Sequence, residues 1–319
     1  MLHDTYPQLI EKLHFDFITM ALIRELELDH LIGREVGTAT ILKELARGGM
    51  AVVFIAYQRT LKRQIAVKIL PKSLLTPQAA ERFQQEAEAV AILSHPNIIQ
   101  IYEVGDTEEF LFFAMQLVKG RPLSDYIKMA RKHVLPSRRI LPLKSTIKII
   151  KEVLDALDYA HSQDIIHRDI KPANILMESH TKRPIIVDFG VAKMSRGPNQ
   201  KTSEIHGTPF YMAPEQILNS NLDGRADIYA TGMVLFEMLV SNLPLPKCST
   251  PTELLQMKLK LKDKLFQRRP SEMNAMVNQE MDKIVFKALS HNPEERYATC
   301  REFIKRLELY QERYLGSAL

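Results

Sequence analysis

The sequence predicts an α+β chain with a small β-rich lobe at 38–118, a larger helical lobe at 119–319 and a helical extension at 1–37. Three observations predict this. The chain has 319 residues at 45% hydrophobic composition, more than one small core usually holds. Between 38 and 118 the apolar residues fall in short β-favouring runs. From Leu123 onward they recur at helical spacing.

Taken in order, Leu9, Ile10, Leu13, Phe17 and Met20 predict one or two amphipathic helices. Packing of this extension onto the next lobe is the plain reading, and a homodimer contact through 1–37 the sharper one. Runs 39–45, 52–57 and 64–70 predict strands. The stretch 77–93 predicts a helix with Phe83, Ala87, Val90 and Ala91 on one face. Runs 98–104 and 110–118 complete a lobe of five strands and one helix. Helices are then expected over 146–161, 226–241, 279–290 and 299–314. The block 162–225 reads as loops with short charged motifs.

A net charge of +5 is mild, and its basic residues are not interleaved with the aromatics that nucleic-acid platforms use, so no nucleic-acid partner is expected. Two basic runs, 128–151 and 258–269, read as solvated faces, with docking of an acidic substrate as the lesser reading. Cys248 and Cys300 have no paired spacing, which argues against a disulfide framework and for a reducing compartment. No run approaches the ~18–20 apolar residues of a membrane helix, and Asp4, Glu11 and Lys12 do not suit a secretory leader. A soluble cytoplasmic chain without a membrane segment is expected.

The chemistry concentrates in two motifs. His167-Arg168-Asp169-Ile170-Lys171-Pro172-Ala173-Asn174 is followed by Asp188-Phe189-Gly190. Asn174 and Asp188 offer the hard oxygens that magnesium takes while sharing substrate phosphates. Asp169 is then left to orient an attacking hydroxyl and accept its proton. Together and in this order the motifs resemble the catalytic and magnesium loops of the protein-kinase family, in particular its bacterial eukaryotic-like (Hanks-type) serine/threonine kinases. The resemblance runs from about residue 40 to 312.

The resemblance implies a two-lobed protein-kinase fold, ATP and magnesium as cofactors, and transfer of the γ-phosphate to serine or threonine hydroxyls of protein substrates. Lys68, in Ile65-Ala66-Val67-Lys68, would hold the α- and β-phosphates and pair with Glu86. Glu88 is the rival for that pairing, about 200° around a helix from Glu86. Leu45, Gly48, Gly49, Val53 and Ala66 would line the nucleotide. Ala46 and Ala51 depart from the family's glycines. Met115 would be the gatekeeper and Gln116 to Val118 the hinge.

Lys171 and Thr208, the latter in Gly207-Thr208-Pro209-Phe210-Tyr211-Met212-Ala213-Pro214-Glu215, form the serine/threonine-type pairing on Asp169. Glu215 with Arg296 and the anchor Asp227 are expected as structural residues. Arg168 would pair with a phosphate on Thr202 or Ser203. Two rivals stand beside this reading. A pseudokinase scaffold would predict loss of Lys68, Asp169, Asn174 or Asp188. A small-molecule phosphotransferase would generally lack the 207–215 segment.

Overall fold

The computed structural model describes residues 28–48, 51–75, 80, 84, 87, 88, 90–135, 138–189, 210–218 and 222–316. Of the extension expected over 1–37 to form amphipathic helices and a dimer contact, residues 1–27 lie outside these residues. The chain divides into two compact units. One takes the described residues up to Ser94 with Ile99–Val118; the other takes His95–Ile98, the residues from Lys119 through Phe189, and those from Phe210 onward.

The first unit is built on a six-stranded antiparallel sheet in the order β1-β2-β3-β4-β6-β5. Its strands are β1 (Glu35–Val36), β2 (Ala39–Arg47), β3 (Val52–Gln58), β4 (Arg63–Pro71), β5 (Ile101–Asp106) and β6 (Phe110–Met115). Alternation sorts the side chains. Val52, Phe54, Ala56, Ile65, Val67, Ile69, Phe112 and Ala114 form one core with Leu28, Leu31 and Val36. Burying one such large side chain contributes about 1.5–3 kcal/mol. On the opposite face Val53 pairs with Lys68, and Ala66 pairs with Met115. Residues 80, 84, 87, 88, 90 and 91 are helical. Ala87 packs with Ala51, Leu70, Leu111 and Phe113.

This unit has a sixth strand that the pattern did not predict. β1 is two residues long, too short to show alternation, and is joined to β2 by a turn at Gly37. That turn has φ +55°, and a Cβ there would press on the Glu103 carboxylate, which Thr38 already bonds at 2.8 Å. The run expected over 98–104 begins instead at Ile101, because Asn97 and Ile98 serve the second unit. Ile98 bridges to Ile186, and Ile186 N donates to Asn97 O at 2.8 Å. The run 110–118 leaves the sheet after Met115.

The second unit contains β7 (Gly120–Pro122), α1 (Leu123–Arg131), α2 (Leu143–His161), β8 (Ile175–Glu178), β9 (Pro184–Ile186), α3 (Pro214–Ile217), α4 (Arg225–Leu239), α5 (Pro251–Leu261), α6 (Pro270–Met273), α7 (Gln279–Ala288) and α8 (Cys300–Leu315). α4 is buried at every position from Ala226 to Leu239, so it is the centre around which the other helices pack. At Gly232 a Cβ would come within 2.8 Å of Ala288 Cβ, so glycine sets how closely α4 and α7 approach. Side-chain caps start α5 at Thr250, α7 at Asn278 and α8 at Thr299, each worth about 1 kcal/mol. Among the described residues no helix is long and apolar enough to cross a membrane.

Candidate active site

The loop between α2 and β8 is shaped by one buried carboxylate. Asp227, in the first turn of α4, accepts the backbone N–H of His167 at Oδ2 and that of Arg168 at Oδ1, both at 2.8 Å. His161 Nε2 donates to the same carboxylate at 2.8 Å. Burial pushes the Asp227 pKa up, but the His161 hydrogen bond and the nearby histidines outweigh it and hold the group below its ordinary value. Arg168 sits at φ +63°, a left-handed conformation costing of order 1–3 kcal/mol in a non-glycine residue. The Asp227 bonds help to offset it. Gln216 Nε2 adds a bond to the Arg168 carbonyl at 3.0 Å.

His167 is fully buried and joins this loop to the next motif. Its Nδ1 accepts from Asp169 N at 3.2 Å, so Nε2 carries the proton and donates to Val187 O at 3.1 Å. Its ring packs 4.6 Å from Phe189. β8 pairs with β9 at Ile175 and Ile186, and Val187 N donates to Asn174 O at 2.9 Å. That register brings Asn174 beside Val187 and Asp188. Asp188 is itself left-handed, at φ +55°.

At the centre stands Asp169, with a side chain 19% exposed. Its Oδ2 accepts from Lys171 Nζ at 2.8 Å and from Asn174 Nδ2 at 3.1 Å. Asn174 Nδ2 also donates to the Asp169 carbonyl at 2.9 Å. With its amide nitrogen so engaged, Asn174 keeps an oxygen as its acceptor atom. Among the described residues no group of three or more His, Cys, Asp or Glu could hold a metal ion. The amide oxygen of Asn174 and the carboxylate of Asp188 are hard donors, and such a sparse set fits magnesium, which completes its shell with waters and phosphates.

The residues expected at the nucleotide lie on the first unit. Val53, Ala66, Lys68 and Met115 share the sheet face opposite the main core. Ala46 pairs with Val53, and Leu45 falls in the bulge between the paired positions Glu44 and Ala46. Gly48 N donates to Ala51 O at 2.9 Å, and among the described residues a Cβ on Gly48 would meet that oxygen at 3.4 Å. Gln116 N is bonded to Gln100 O, and Gln116 to Val118 are half-buried. Glu88 is exposed and accepts from Gln84 at 3.4 Å. Gly49, Glu86, Thr202, Ser203 and Thr208 lie outside the described residues.

Glu215 and Arg296 form a bidentate buried pair at 2.6 and 2.8 Å. Three contacts were not foreseen. Gln216 reaches the Arg168 carbonyl. Tyr211 Oη donates to Glu237 at 2.6 Å, and Arg131 Nη2 donates to the same carboxylate at 2.7 Å. Lys258, counted within a solvated basic run, is instead buried. Both basic runs thus depart from a uniform solvated face. For Lys258 the signal was in the sequence, because it falls on the apolar stripe of Leu254 and Leu255.

The protein kinase domain family model matches residues 39–307. Serine/threonine-protein kinase Pkn1 of Myxococcus xanthus is 32% identical over 287 residues, 88% of this chain and 39% of that protein. The probable serine/threonine-protein kinase PknB of Lactococcus lactis is 37% identical over 270 residues, 83% of this chain and 40% of that protein. The chain thus spans about two fifths of the length of these relatives. The crystal structure of the Mycobacterium tuberculosis PknI kinase domain superposes with a TM-score of 0.69 at 25% identity, covering 90% of this chain and 99% of that one.

Proposed function

Since the chain belongs to the protein kinase family, with the two-lobed fold of its bacterial eukaryotic-like members, we propose that it transfers the γ-phosphate of ATP to serine or threonine hydroxyls of protein substrates. The observation that carries this reading is the Asp169 carboxylate, held at Oδ2 by Lys171 at 2.8 Å and Asn174 at 3.1 Å.

Asp169 accepts the hydrogen bond of the acceptor hydroxyl, aims its oxygen and takes its proton as transfer proceeds. Lys171 donates to that carboxylate at 2.8 Å and toward the transferred group. Asn174 and Asp188 would hold magnesium, which when bound neutralises charge building on the phosphates. Lys68 holds the α- and β-phosphates, with Glu86 as its partner. Leu45, Gly48, Gly49, Val53, Ala66, Met115, Gln116 and Val118 contact the nucleotide. Catalysis is positioning plus charge stabilisation, since the transition state is loose.

A phosphate on Thr202 or Ser203 would add about −1.5 to −2 charge and three acceptors for Arg168. Autophosphorylation there would order the segment that ends at Thr208.

The pseudokinase alternative is disfavoured because Lys68, Asp169, Asn174 and Asp188 are all present. The small-molecule phosphotransferase is disfavoured by the segment 207–215. The test is incubation with γ-labelled ATP, magnesium and casein, followed by phosphoamino-acid analysis. Label on phosphoserine and phosphothreonine is expected. Label on phosphotyrosine alone, or none on protein, contradicts the reading.

A further inference from the structure

α5 directs its apolar stripe inward at Leu254 and Leu255, and the next inward position is Lys258. This side chain is 1% exposed. Burying an ammonium is expensive unless it is well bonded. Here Nζ donates to the carbonyl of Phe210 at 2.7 Å and to that of Met212 at 2.8 Å. It also lies 5.3 Å from the Tyr229 ring centroid, against which the Arg296 guanidinium packs at 4.9 Å.

The two carbonyls belong to the stretch that leads into α3, and that stretch is wired to the catalytic loop. Ala213 N donates to Gln216 Oε1 at 2.9 Å, and Gln216 Nε2 donates to Arg168 O at 3.0 Å, next to Asp169. Tyr211 adds its bond to Glu237. A shift of residues 210–213 therefore moves the Gln216 amide and the backbone beside Asp169. The nucleotide-side residues lie on the other unit and share none of these bonds.

We propose that Lys258 is a positioning residue for the protein acceptor: by clamping the Phe210 and Met212 carbonyls to α5 it fixes residues 210–216 against the catalytic loop. The assignment to the acceptor rests on the kinase reading above; the clamp itself does not. Burial pulls the Lys258 pKa down to about 7, against the opposing pull of Glu215. An exposed lysine keeps its proton up to about 10.5, so releasing the clamp takes up a proton above about 7, and the clamp holds more firmly as pH rises through that value. The charged and titratable groups around it come from several elements. Glu215 and Arg296 are paired, Tyr229 is raised by burial, Asp263 accepts from His291 N, and burial holds the His291 ring below its ordinary value.

The test uses Lys258→Met, which keeps length without charge, and Lys258→Arg, whose charge does not titrate, in the full chain. Three readouts are taken: KM for casein at pH 6.5 and 8.5, affinity for a fluorescent ATP analogue, and amide exchange of residues 210–218 without substrate. Lys258→Met should raise the casein KM about tenfold, leave nucleotide affinity within about twofold and speed exchange at 210–218. Wild type should show a casein KM that falls with pH, and both variants should lose that dependence. Unchanged exchange and KM in Lys258→Met, or an equal loss of nucleotide affinity, overturns the proposal. If wild type transfers no phosphate but exchange still quickens in Lys258→Met, the clamp stands and the kinase reading falls.

Discussion

Asp227 shows how a single carboxylate sets the geometry of a loop. It satisfies two successive backbone N–H groups, at His167 and Arg168, and so stabilises a left-handed Arg168 immediately before Asp169. Asp227→Asn replaces one accepting oxygen by a donor and leaves a buried N–H without its acceptor. A loss of about 1–3 kcal/mol of stability is expected from denaturant unfolding, with a parallel fall in phosphotransfer. The folded Asp227 pKa is below its unfolded value, so its stabilisation is present above the ordinary carboxylate range and is lost as pH falls through the folded pKa.

Lys258 behaves oppositely. Its pKa falls from 10.5 to about 7 on folding, so the cost of burying its charge is complete below pH 7. That cost is relieved as pH climbs toward 10.5, and unfolding free energy should rise across that window by an amount absent from Lys258→Met. Unfolding titrations at several pH values check this; a wild-type curve with the same slope as the variant contradicts it. Asp169 and Asn174 stood out in the sequence because they fall in motifs resembling those of the kinase family, and the structure places Asn174 Nδ2 3.1 Å from Asp169 Oδ2. The inward turn of Lys258 shows in the sequence as its place on the stripe of Leu254 and Leu255, although a lysine at such a place commonly carries its charged end to solvent.

At the scale of elements, the Glu215–Arg296 pair ties α3 to the turn before α8. Arg296 also donates to the Ser290 and Arg225 carbonyls, so it serves four segments at once. Arg296→Met should cost about 3–5 kcal/mol in denaturant unfolding, because it strands a buried carboxylate. A cost under about 1 kcal/mol would show that the pair is not the tie described. At the end of β2, Ala46→Gly should preserve or raise affinity for ATP, measured by nucleotide titration, since Ala46 faces Val53 on the nucleotide-side surface. A clear loss in the folded variant would mean that the loop is misassigned.

The longer elements were legible where burial alternates cleanly, as at Val52, Phe54 and Ala56 in β3. β1, β7, β8 and β9 span two to four residues each, too few to carry a period, and were hidden in stretches read as extension or loop. β8 and β9 matter most, since their pairing brings Asn174 to Asp188.

For the whole molecule, the proposed reading gives each of the two units its own task. One unit carries Lys68 and the face expected at the nucleotide; the other carries Asp169, Asn174 and Asp188. Control is expected to come through the segment 190–209. A Thr202→Ala, Ser203→Ala double variant should lose most activity toward casein at equal folded concentration, and full activity would show a constitutive enzyme. The most direct test is γ-phosphate transfer from labelled ATP to casein by wild type and Asp169→Asn, with ATP-analogue binding measured on both. Wild type should label the acceptor, while Asp169→Asn should bind the analogue equally and transfer at least about 100-fold more slowly. Equal transfer by the two proteins would contradict the role of Asp169 and the mechanism built on it.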